Sequence, residues 1–165
     1  MSEHPTHKKA PTTFALIVTS DTRTEREDET GRIAVGLIEA DGHRVVSHTI
    51  IPNDAEKIKA EVQRMLLDDS VAVVVTSGGT GIGAKDKTVA AVAPLFEKEM
   101  IGFGELFRRI SYDEIGGAAI MSRATAGVVR GKIIFCLPGS RNAMKVALTK
   151  IILPNVGHMH WELNR

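Results

Sequence analysis

With 165 residues the chain is long enough for one domain with a sizeable core and too short for two ordinary ones. Lys and Arg number 21 against 20 for Asp and Glu, so there is no basic excess to neutralise a nucleic-acid backbone or to hold the protein on anionic lipid, and neither partner is expected. One cysteine, Cys136, rules out an internal disulfide; together with the lack of a secretory-type apolar stretch near Met1 and of any run long enough to span a membrane, it sets a cytoplasmic expectation.

Met1 to Thr12 is polar, with Pro5 and Pro11, and predicts a flexible N-terminal segment (1–12) ahead of a single domain over 13–165. Thr13 to Ser20 reads as a buried strand. Asp28 to Asp41 reads as a helix capped by Asp28, with Ala34, Leu37 and Ile38 on one face and Gly42 as its stop. Arg44 to Ile51 is a second strand, and Ala55 to Leu67 a second helix with Ile58, Val62, Met65 and Leu66 at helical spacing. Val71 to Val75 is the strongest strand signal and predicts a central position. Helices follow near Thr88 to Phe96 and Gly104 to Tyr112, and Ala126–Arg130 with Lys132–Leu137 around Gly131 predicts an antiparallel hairpin. Ser140 caps a last helix running to about Ile152, where Pro154 should break it and leave a polar tail with His158 and His160. Strand-length apolar runs alternating with helical stretches give an α/β class, a mainly parallel sheet covered on both faces.

Three of these strands end in polar or glycine-rich loops: Ser20-Asp21-Thr22, Thr76-Ser77-Gly78-Gly79-Thr80-Gly81, and Pro138-Gly139-Ser140. In a parallel sheet such ends share one edge, where open α/β proteins bind ligands. Glycines allow close approach, and free amides and hydroxyls near helix starts favour phosphate or pyrophosphate. No GxxxxGK[ST] loop is present, and Gly79-Thr80-Gly81-Ile82-Gly83 lacks the GxGxxG spacing, so neither common nucleotide fingerprint applies. Asp21, Asp54 and Asp86 stand near the loops. Nucleotidyl transfer needs a divalent ion, usually Mg²⁺, held by one or two carboxylates, and Asp86 is the best placed; its plainer role is the cap of the helix beginning near Lys87. Lys85 and Lys87 flank it as phosphate contacts or as solvated surface charges.

Thr76-Ser77-Gly78-Gly79-Thr80-Gly81, then Asp86 and Thr88, then Gly102-Phe103-Gly104-Glu105, then Ser122-Arg123 and Pro138-Gly139-Ser140, in this order between about Phe14 and Pro154, resemble the molybdopterin-binding proteins of the MoaB/MogA type. The resemblance implies a three-layer α/β sandwich of the molybdopterin-binding domain type, a homotrimer or hexamer, and Mg-dependent adenylylation of molybdopterin by ATP with release of pyrophosphate. By the same resemblance Gly78, Gly79, Thr80 and Gly81, with Thr76 and Ser77 ahead of them, form the phosphate cradle, and Asp86 is the essential acid. Glu105, Ser122, Pro138, Gly139 and Ser140 line the pterin and nucleotide pocket, while Ser20 and Asp21 sit at the polar end of the first strand. For Glu105 the plainer reading is a first-turn acid facing the helix dipole, and for Ser140 it is the cap already named.

In one respect the chain departs from the resembling family. Adenylylating members often carry an acid directly after the proline ending the second strand, whereas here Pro52 is followed by Asn53 and only then Asp54. Either Asp54 substitutes as a second metal and catalytic acid, or metal binding is weakened, since a carboxamide brings no charge. The alternative function is accordingly a non-catalytic molybdopterin-binding or carrier oligomer; a third reading is a structural oligomer whose pocket takes another phosphorylated ligand. His158 and His160 point the same way from an extended tail but have no third ligand for a metal. Trp161 is expected to pack on a neighbouring subunit, and Cys136 to act as a small core residue.

Overall fold

A computed structural model describes residues 10–165. The expected flexible segment thus lies mostly outside the described residues; within them Thr12 is buried, and its N–H donates to His43 Nδ1 at 3.0 Å. The strands are β1 Thr13–Thr19, β2 Arg44–Ile51, β3 Val73–Ser77, β4 Lys98–Glu99, β5 Thr125–Val129 and β6 Lys132–Leu137. They form one sheet in the order β2-β1-β3-β6-β5-β4. β2, β1, β3 and β6 run parallel, and β5 and β4 add an antiparallel edge. The α/β class and the mainly parallel sheet are as the pattern predicts.

The helices are α1 Glu29–Ala40, α2 Ala55–Leu67, α3 Thr88–Val92, α4 Ile101–Ile115, α5 Arg141–Val146 and α6 Leu153–Asn164. Alternate strand residues feed two cores. Phe14, Leu16, Val73, Val75, Phe135 and Leu137 pack against Ile38, Phe103, Phe107, Met144 and Val156 from α1, α4, α5 and α6. On the other face Ala15, Ile17, Val74, Ile134 and Cys136 meet Ile58, Val62, Met65, Val89 and Val92 from α2 and α3. Each large apolar side chain removed from water contributes roughly 1.5–3 kcal/mol, so both faces pin the sheet, and its carboxyl edge becomes a rigid platform.

Several boundaries differ from the expected ones for local reasons. Val71 N–H donates to Asp68 O in the preceding turn, so β3 starts at Val73 and carries Thr76 and Ser77 inside the sheet, opposite Cys136 and Leu137. The glycine loop therefore begins at Gly78. β4 has two residues, too few for any apolar pattern to show, and α4 begins three residues before Gly104 and reaches Ile115. The segment expected as one helix from Thr88 to Phe96 is α3 followed by a 3₁₀ turn over Ala93–Leu95. The expected hairpin is present, turning through Arg130 and Gly131, both at positive φ.

The expected break at Pro154 is corrected. Ala147–Ile152 is a π-helical segment that joins α5 to α6, and Pro154 lies in the first turn of α6, where a missing N–H is tolerated. Asn155 Nδ2 donates to Ile151 O at 2.7 Å and serves one carbonyl at this junction. The supposed tail is thus a helix that buries Leu153 and Val156. His158 and His160, two positions apart on a helix, cannot share a face; His158 pairs with Glu162 and stacks on Trp161. Among the described residues no helix is long and apolar enough to cross a membrane.

Candidate functional site

The carboxyl ends of β1, β3 and β6 lie side by side and touch through backbone. Thr19 Oγ1 donates to Ser77 O at 3.2 Å, and Gly78 N–H donates to Leu137 O at 2.9 Å. Gly78 has φ +102°, and a Cβ there would stand 2.5 Å from Thr19 Oγ1; one on Gly79, at φ +71°, would stand 2.3 Å from Thr88 Oγ1. Only glycine fits at both positions. Gly139 closes the third side, its Cβ position being 3.4 Å from Gly78 Cα. The convergence expected of the three loops is what the sheet order produces.

Beyond the Gly78 N–H, the carbonyls of Gly79 and Thr80 are engaged while several amides are not. Thr88 N–H donates to Gly79 O at 3.1 Å and Arg123 N–H to Thr80 O at 2.7 Å. The N–H groups of Gly79, Thr80, Gly139 and Ser140 find no acceptor among the described residues. Two buried hydroxyls beside them, Ser77 Oγ and Thr88 Oγ1, also lack a partner among those residues. Folded proteins pair nearly all buried polar groups. Clustered donors of this kind suit an oxygen-rich anion such as phosphate.

The charged groups divide into separate duties. Asp86 does not cap α3: the cap position is Lys87, without a side-chain bond, and Asp86 Oδ2 instead accepts from Gly83 N–H at 2.9 Å. That contact folds the glycine loop over the half-exposed carboxylate and leaves no space for a Cβ on Gly81, which would come within 2.7 Å of it. Asp54 caps α2, accepting from Lys57 N–H at 2.9 Å. Asp21 accepts from Asn53 N–H at 2.9 Å and from Asn53 Nδ2 at 3.4 Å. The Asn53 backbone donor and then its carboxamide hold the Asp21 carboxyl below its ordinary range, against desolvation and with lesser help from the charges of Lys85 and Lys87. Asn53 therefore serves Asp21 where the family pattern has an acid.

Of the remaining site candidates, Ser20 Oγ accepts from Arg23 N–H at 3.0 Å and folds the loop after β1. Ser140 caps α5 through Ala143 N–H at 3.1 Å, as its plainer reading expects. Ser122, Pro138 and Ser140 share a cavity of about 160 Å³ with Phe107, Ser111 and Asn142. Gly139 and Ser140 also border a cavity of about 330 Å³ lined by Arg23, Glu29, Thr30 and Arg141. Glu105 is exposed on α4 and lines neither; as the fifth residue of that helix it lies beyond the first turn, which removes the dipole reading. Cys136 is buried, and burial pushes its thiol up to about 12, as suits a core residue. Trp161, expected against a second subunit, stacks on His158 with Arg165 over its ring. Thr30 escaped the sequence reading, and Thr88 and Arg123 entered it only as members of the motif order, since their contacts with the loops are made only by the fold.

A mainly parallel α/β sheet with glycine-bearing loops at adjacent strand ends belongs to the open-sheet class, whose members bind ligands at that edge. The sequence signature of the family described as "Probable molybdopterin binding domain" matches residues 15–158, and the chain belongs to that family. It is 42% identical over 166 residues to molybdenum cofactor biosynthesis protein B of Bacillus cereus, covering 100% of this chain and 98% of that one. A crystal structure of a molybdenum cofactor biosynthesis protein B superposes with a TM-score of 0.92 at 43% identity, over 94% of this chain and 98% of the other. The tungsten cofactor synthesizing protein MoaB from Pyrococcus furiosus gives 0.86 at 37% identity, over 94% and 98%. The resemblance read from the motif order is thereby established.

Proposed function

We propose that the chain acts in molybdenum cofactor biosynthesis as a molybdopterin adenylyltransferase. A phosphate oxygen of molybdopterin forms a bond to the α-phosphorus of ATP, the bond to the β-phosphate bridge breaks, and pyrophosphate leaves with the electron pair. The observation that carries this reading is the set of unpaired donors at the joined ends of β3 and β6: the N–H groups of Gly79, Thr80, Gly139 and Ser140 with the buried Ser77 and Thr88 hydroxyls. Such donors bind phosphoryl oxygens and stabilise charge that grows on them.

Among the described residues no three His, Cys, Asp or Glu groups gather into a metal cage. Mg²⁺ usually takes one or two carboxylates and completes its shell with substrate phosphates and water, so the half-exposed Asp86 at the glycine loop fits it as a holder. When bound, the ion supplies charge neutralisation for the leaving pyrophosphate. Lys85 and Lys87 bring further positive charge to the same mouth, balanced in part by Asp21. Asp54 is assigned to the start of α2, which its cap bond accounts for.

A second reading, binding without chemistry, is favoured by one observation: Asn53 holds Asp21 through two hydrogen bonds and adds no charge. Mixing the protein with molybdopterin, ATP and Mg²⁺ separates the two. Pyrophosphate released in proportion to molybdopterin supports the transferase, and molybdopterin binding without pyrophosphate supports the carrier.

A further inference from the structure

The first turn of α1 is bound to its surroundings more tightly than a helix start requires. Asp28, with no exposed surface, caps it through Gly31 N–H at 2.9 Å, while its other oxygen lies 2.8 Å from His48 Nε2 on β2. A Cβ on Gly31 would fall 2.0 Å from Asp28 Oδ2 and 2.4 Å from His48 Nε2, so turn, cap and histidine are in direct contact. Glu29 pairs with Arg141 of α5 at 2.7 Å. Between these anchors Thr30, which is 2% exposed, donates its hydroxyl to Gly139 O at 3.2 Å.

That last bond reaches the candidate site. A trans peptide points its C=O and N–H in opposite directions. With the Gly139 carbonyl held toward Thr30, the Ser140 N–H is turned away from α1, and it is one of the four amides that find no protein acceptor among the described residues. A glycine on one side of this peptide would leave its rotation loose, and donors contribute to anion binding only when they are fixed before the anion arrives. Thr30 also lines the cavity of about 330 Å³ beside Gly139 and Ser140.

We propose that Thr30 is a positioning residue: its buried hydroxyl sets the Gly139–Ser140 peptide so that the Ser140 N–H receives a phosphoryl oxygen. The inference rests on the phosphate cradle of the proposed function and adds to it a residue that touches no ligand. A purely structural Thr30, tying α1 to the loop, predicts lost stability and unchanged anion affinity.

Calorimetric titration with inorganic pyrophosphate and Mg²⁺, at a temperature where every variant is folded by circular dichroism, distinguishes them. Thr30→Val keeps the shape and removes the donor, and Thr30→Ala removes it without the methyl group, should valine not be accommodated. Either should weaken pyrophosphate binding about tenfold, the loss expected for one oriented donor to an anion. Thr30→Ser should restore affinity to within about twofold because the donor is kept. Val62→Ala, which removes apolar core from the opposite layer, controls for general destabilisation and should leave affinity unmoved. Pyrophosphate binding that persists unchanged in both Val and Ala variants overturns the role of Thr30 alone, as does an equal loss in Val62→Ala. Failure of the unmodified protein to bind pyrophosphate overturns the cradle itself and this inference with it.

Discussion

Asn53 and Asp21 show how much a single side chain can alter the electrostatics of this edge. The two donors of Asn53 favour the ionised form of Asp21, so its carboxyl titrates below the ordinary value in the folded protein. A depressed carboxylate stabilises the fold above its unfolded pKa, and that contribution is lost as pH falls through the folded value. Asn53→Ala removes the carboxamide and leaves the larger backbone contribution, so Asp21 should titrate at a higher pH than in the unmodified protein while staying below the ordinary value. Carbon-detected NMR titration of the carboxyl reads this, and an unmoved Asp21 would contradict the pairing. Gly79 tests the other side of the site. With φ +71° and Thr88 Oγ1 at 2.3 Å from its Cβ position, Gly79→Ala should lose about 1–3 kcal/mol of stability together with pyrophosphate binding. Thermal unfolding and calorimetry on one sample suffice, and an unshifted unfolding midpoint would contradict the strained backbone. The glycines themselves were legible in the sequence because they follow an apolar strand directly. Their long-range partners were not: Thr19 and Leu137 come to the loop through pairings across tens of residues, which no local pattern encodes.

At the scale of elements, legibility followed the strength of the period. α2, with four buried positions at helical spacing, appears over the residues that pattern assigned to it, and Asp54 marks its start. The Arg130-Gly131 hairpin was readable because a glycine separates two apolar runs. β4 was not, having two residues, and neither was the continuation past Pro154, where a π-helical segment accommodates the proline that sequence rules take as a stop. α6 gives this correction a test. Val156 is wholly buried against the first core, so Val156→Ala should lower stability by roughly 1–3 kcal/mol in denaturant unfolding. A disordered tail would give no change.

For the whole molecule, the apolar surface around α4 points to self-association. Ile101, Ile115 and Ile120 are 62%, 58% and 83% exposed, and Tyr112 and Met121 lie on the same stretch of chain. Ile110, between Ile101 and Tyr112 on α4, is instead partly packed on the core. Exposed patches of this kind commonly mark interfaces. Light scattering should give a mass three or six times that of one chain, with Ile120→Lys reducing it; a monomer at micromolar concentration would contradict the expectation.

Nucleotidyl transfer at the glycine edge of β1, β3 and β6, with Asp86 as the proposed acid, is read by single-turnover pyrophosphate release. Asp86→Asn keeps an oxygen to accept from Gly83 N–H and removes only the charge, so the loop and molybdopterin affinity should persist. At saturating ATP, Mg²⁺ and molybdopterin, the unmodified protein should release one pyrophosphate for each adenylylated molybdopterin formed. The Asp86→Asn protein should do so on the order of a hundredfold more slowly. Equal rates in the two proteins would remove Asp86 from the reaction, and molybdopterin binding without pyrophosphate release in the unmodified protein would contradict the transferase itself.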